Sequence, residues 1–94
     1  MTKREEYIEK MKLQLDELDA NMDKLEAKAK DAQEDVRAKY QEEMAKLRHQ
    51  SKLAKGKLQE AKAVSEDKWD AMVAELENVR DAVIHSYRYF KSQL

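Results

Sequence analysis

Proline and cysteine are absent from this 94-residue chain, and glycine occurs once, at Gly56. Without proline, nothing in the covalent backbone obliges a helix to kink or stop. Without cysteine there is no disulfide framework and no thiol chemistry. Aromatic residues are 6% of the chain, with one Trp, four Tyr and one Phe. No stretch of about 18 apolar residues occurs, so no membrane-spanning helix is expected. The opening Met1-Thr2-Lys3-Arg4-Glu5-Glu6-Tyr7 lacks the apolar run of a secretory signal. These absences make a cytoplasmic location the expectation.

What remains is charge and helix formers. Charged residues are 41% and hydrophobic residues 41%, against about 25% charged in an ordinary domain. Ala, Glu, Lys, Leu and Arg supply 52 of the 94 residues, the mix of long helices and coiled coils. A disordered polyampholyte would share this charge content, but the net charge is only −1 and the apolar residues are periodic, which argues for order. The length suits one domain, 1–94.

The periodicity is specific. Met11, Leu15, Leu18, Met22, Leu25, Ala29, Ala32 and Val36 alternate in steps of four and three, the seam of a helix packed on other helices. Val36, Tyr40 and Met44 then follow at steps of four, a stutter that locally unwinds a left-handed supercoil. Leu47, Ser51, Ala54, Leu58 and Ala61 resume the alternation. Thr2 and Glu5 form a capping box, so the spacing predicts one helix over about 3–63, roughly 90 Å long. Ser65, with Glu66 and Asp67 after it, reads as the N-cap of a second helix, placing a break near 64–66; one unbroken helix is the alternative, since no glycine or proline marks a turn and Ala61, Ser65 and Trp69 keep helical phase. Trp69, Met72, Leu76, Val79, Val83, Tyr87 and Phe90, widened by Val73 and Ile84, give that helix, about 66–90, a stripe broad enough for two neighbours. Glu6 with Lys10, Glu26 with Lys30, Asp35 with Lys39 and Glu42 with Lys46 are spaced for ion pairs on the outer faces.

Charge is partitioned along the chain. Residues 1–35 hold 7 basic and 11 acidic side chains, residues 36–63 hold 8 and 3, and residues 64–94 hold 4 and 6. The basic middle therefore suits both acidic flanks as neighbours. Folding back at Ser65 pairs the last segment with the middle but leaves the first segment overhanging. The expected fold is all-α: a long helix plus a shorter C-terminal helix, forming a helical hairpin with an overhang and coiled-coil packing in an antiparallel oligomer. A dimer is favoured, with residues 1–31 of one chain beside 36–64 of the other, each end a three-helix bundle. The oligomer seam would comprise Met11, Leu15, Leu18, Met22, Leu25, Ala29, Ala32, Val36, Leu47, Leu58, Trp69, Met72, Leu76, Val79, Val83, Tyr87 and Phe90.

Motifs for chemistry are weak. His49 has no carboxylate at i−3 or i−4, and His85 has only Asp81 at i−4, short of a metal set. His85 and Ser86 are adjacent, so on a helix they point apart and form no nucleophile–base pair. No catalytic residue, cofactor or metal is expected. Lys46, Arg48, Lys52, Lys55, Lys57 and Lys62 against Glu60 could track phosphates, but this stretch has no aromatic residue, and nucleic acid is not favoured as a partner. Tyr87, Tyr89 and Phe90 among His85, Arg88 and Lys91 could adsorb to a lipid surface; core packing is the preferred reading.

Met1-Thr2-Lys3-Arg4 through Tyr7, Lys10-Met11-Lys12, Gln14-Leu15-Asp16-Glu17-Leu18 and Asp23-Lys24-Leu25-Glu26-Ala27-Lys28-Ala29 resemble the opening of a bacterial family of small helical proteins described as coiled-coil domain or stress-response-type proteins. Ser65, Asp67 and Trp69 are similar to that family's Ser-Gly-Asp-x-Trp junction, with Glu66 where the family often has glycine. The resemblance implies a bacterial, cytoplasmic helical protein with a link to stress, and brings no catalytic residues. The expectation is a non-enzymatic structural or interaction protein that partners itself and an unidentified protein. The alternative is an amphipathic surface-binding protein acting on lipid, polymer granules or unfolded clients through residues 69–90.

Overall fold

The computed structural model describes residues 2–94. The described residues form three helices, α1 (Lys3–Lys30), α2 (Glu34–Ala61) and α3 (Glu66–Gln93), each of 28 residues. At about 1.5 Å per residue each is roughly 42 Å long, and they lie side by side in a body of 51 × 20 × 18 Å. None of the described helices is long and apolar enough to cross a membrane.

Contacts between named residues give the topology. Asp23 of α1 meets Arg48 of α2 and Asp19 meets Lys55, so the two helices run in opposite directions. Lys57 meets Glu75, and Tyr40 meets Phe90, so α2 and α3 are also antiparallel. Tyr7 against Trp69 and Gln14 against Arg80 put α1 and α3 parallel. The result is an up-down-up bundle of three helices around a shared apolar core.

The single helix read over about 3–63 is corrected to two helices. Asp31-Ala32-Gln33 turns the chain back, so the acidic first segment lies on the basic middle of its own chain instead of overhanging. The backbone manages this without glycine: Asp31 stays near helical at φ −85°, ψ −1°, and Gln33 is extended at φ −61°, ψ 150°. Burial supplies the driving force, because an isolated 59-residue stripe would leave its apolar face in water. Ala29, 1% exposed, lets the two backbones close together beside the turn. The break near 64–66 coincides with the second turn, and the last helix runs on to Gln93.

The helix ends follow their sequence signals in part. Thr2 Oγ1 accepts a hydrogen bond from the Glu5 N–H at 3.2 Å, satisfying one of the free donors of the first turn. Ser65 occupies the N-cap of α3 without a side-chain bond, its carbonyl accepting from the Lys68 N–H at 3.1 Å. Two outer ion pairs are re-partnered: Lys46 meets Glu43 at 3.6 Å rather than Glu42, and Glu26 meets Arg48 rather than Lys30.

Within the chain, Met11, Leu15, Leu18, Met22, Leu25, Ala29, Leu47, Leu58, Leu76, Val83 and Phe90 are buried. Ala32, Val36, Trp69, Met72, Val79 and Tyr87 are half-buried. Ile8 extends the α1 stripe by one turn and is also buried.

Candidate interaction surfaces

The α1–α2 interface carries a ladder of charge above its apolar seam. Asp19 accepts from Ser51 Oγ at 2.6 Å and from Lys55 Nζ, while Asp16 lies 3.6 Å from the same ammonium. One turn along, Arg48 bridges Asp23 and Glu26. Ser51 is only 3% exposed, so its hydroxyl depends on Asp19 for a partner. Burial alone would raise the Asp19 pKa, but the hydrogen bonds from Lys55 and Ser51 outweigh it and hold the carboxyl below its ordinary value. The hydrogen bond to Asp19 likewise pushes the Lys55 ammonium up.

A second cluster closes the end where α1 begins. The Arg4 guanidinium donates to the Val64 carbonyl at 2.7 Å and lies 4.6 Å from the Trp69 ring centroid, a cation–π contact. Tyr7 meets Trp69 edge to face at 5.7 Å and donates to Glu77 at 3.5 Å. Burial and the neighbouring Glu77 raise its phenol pKa. At the opposite end Tyr40 packs on Phe90 at 5.6 Å and donates to the Gln93 carbonyl at 3.2 Å. The C-terminal aromatic group is thereby divided: Phe90 is buried, Tyr87 half-buried and Tyr89 exposed.

Between α2 and α3 lies an open apolar groove of about 660 Å³, floored by Leu53, Gly56, Val79, Ala82 and Val83 and rimmed by polar residues including His49, Lys52 and Lys57. Leu53 is 54% exposed. A methyl group added at Gly56 would meet nothing within 4 Å. At the same groove the Gln50 Oε1 is buried with no hydrogen-bond partner. Neither Gly56 nor Leu53 falls on the seam, so periodicity alone does not single them out; the signal available in sequence is a lone glycine inside an otherwise strong helix former.

The remaining candidates are dispersed. Of the six cations in 46–62, Lys46, Arg48, Lys55 and Lys57 each meet a carboxylate, while Lys52 and Lys62 are exposed. His49 and His85 lie exposed on different helices, and among the described residues no three His, Cys, Asp or Glu side chains converge as metal ligands. No protein-family model, curated protein or solved structure matches this chain.

Proposed function

We propose that this protein is a non-enzymatic interaction module whose working surface is the α2–α3 groove, and that it self-associates, as a dimer above all. The observation that carries the groove is Gly56. A glycine in a helix interior costs about 1 kcal/mol relative to alanine, and here no backbone or side chain approaches closely enough to require it. What the missing side chain provides is an open floor beside an exposed leucine. Such a floor suits the apolar face of an amphipathic helix laid between α2 and α3. The resemblance of residues 1–29 and 65–69 to stress-type helical proteins suggests a bacterial stress setting for the partner.

The test is comparative capture from native lysate with wild-type protein, Leu53→Glu and Gly56→Leu as baits. Partners held by the groove should be retained by wild type and lost with both variants. Retention of an identical set by all three would remove the reading.

A second reading, adsorption through residues 69–90, draws on the breadth of the α3 stripe, in which Trp69, Met72, Val73, Val79, Ile84 and Tyr87 are only half-buried. An adsorbing bundle would open on anionic vesicles and shift its Trp69 emission. Unchanged emission at saturating lipid favours the groove.

A further inference from the structure

We infer that α1 exchanges between two copies of this chain: residues 31–33 straighten, α1 and α2 fuse into one rod, and each rod's α1 packs on the α2–α3 pair of the other copy. The inference rests on the self-association part of the proposed function and gives it an interface.

The turn holds nothing that forbids a helix. Asp31, Ala32 and Gln33 include neither glycine nor proline, and no described residue has a positive φ. Asp31 is already near helical, and Gln33 has a helical φ of −61°, so its departure is in ψ. Gln33 caps α2 with no side-chain hydrogen bond, and straightening sacrifices no such cap. The cross-turn bond given up is the one from Arg37 Nη2 to the Ala32 carbonyl, 3.2 Å and exposed.

The seam also stays in phase across the turn. Leu25, Ala29, Ala32, Val36, Tyr40 and Met44 are separated by steps of three and four, so in a fused helix they share one face. The cross-helix partners fit the same geometry. The midpoint between Asp23 and Arg48 falls near residue 36, and that between Asp19 and Lys55 near residue 37, about one helical turn from Gln33. Two antiparallel rods crossing there would place α1 of one on α2 of the other in the register of the closed bundle. The Asp19 and Arg48 ion pairs, the Arg4–Val64 bond and the Tyr7–Trp69 contact would all be remade between chains. Because the swapped form repeats the closed form's interface, its added local cost is confined to the three-residue turn, and short hinges of this kind invite exchange. Mass action then sets the balance, with dimer favoured as concentration rises.

The decisive experiment places cysteines at Asp16 and Lys55 in this otherwise cysteine-free chain and links them with a short bismaleimide after refolding at low and high concentration. Swapping predicts intrachain links in dilute protein and interchain, covalent dimers in concentrated protein. Two controls act on the hinge. Gln33→Pro matches the observed φ but blocks a continuous helix, and a Gly-Ser-Gly insertion after Ala32 relaxes the closed turn; each should lower the interchain fraction at least tenfold. Asp31→Ala with Gln33→Ala should raise it. Dimers whose 16–55 links are all intrachain would overturn the exchange while leaving self-association intact. Monomers at every concentration, in the double-alanine variant too, would remove both. Neither result bears on the groove.

Discussion

The two faces of α2 are built differently. Towards α1 it presents Arg48, Ser51 and Lys55, and all three meet carboxylates. Towards α3 it has one cross-helix ion pair, Lys57 with Glu75 at 3.3 Å, an aromatic contact at the Tyr40 end, and a groove between. The first face is specified by a ladder of charge, the second mainly by apolar and aromatic packing, with one ion pair and the Tyr40–Gln93 hydrogen bond. A face whose polar groups are all partnered holds a bundle together; a face left open at a glycine can receive something else.

The largest effect is expected in the core that the two faces share. Leu76 is 1% exposed, and Leu76→Asp would bury a charge without a partner, costing more than about 4 kcal/mol and unfolding the bundle by circular dichroism. Tyr87→Asp, at a half-buried position on the same helix, should cost distinctly less in the same melt. A middle-sized effect sharpens the α1–α2 side. Asp19→Ala strands the Ser51 hydroxyl and frees the Lys55 ammonium, for an expected loss of about 1–3 kcal/mol in urea unfolding. Lys57→Ala on the α2–α3 side removes one partly exposed pair and should cost no more than about 1 kcal/mol.

Acid should separate the faces as well. The folded Asp19 pKa lies below its ordinary value, so its stabilising contribution is present above the unfolded carboxylate pKa, about 3.9, and is lost as pH falls through the lower folded value. Wild-type stability should drop below about pH 4 more than that of Asp19→Ala does, read as the difference in urea midpoint between pH 6 and pH 3. At high pH the raised Lys55 value works in the opposite sense, its contribution fading as pH rises through the folded pKa.

Much of this architecture is legible in residue spacing. The α1 seam from Met11 to Ala29, the Thr2 cap and the break before Glu66 follow from helical periodicity and capping chemistry. The block charges point to the acidic first segment beside the basic middle, but between two chains; the structure makes that pairing within one chain. The turn at Asp31–Gln33 is not legible, because it uses no glycine or proline and leaves the seam in phase. A fused helix and a closed hairpin satisfy the same local rules, and only the gain from burying both stripes within one chain distinguishes them. The groove is hidden for a different reason: it depends on what α3 fails to cover, a tertiary property that no pattern within α2 records.

The α2–α3 face is open at Gly56, and thermal unfolding of Gly56→Leu probes that opening. An open floor accepts the new side chain without strain while the helix gains propensity, so the melting temperature should rise by several degrees, about 1 kcal/mol of stabilisation. A fall of similar size would mean that α3 or another surface already fills the site and that no open groove exists there.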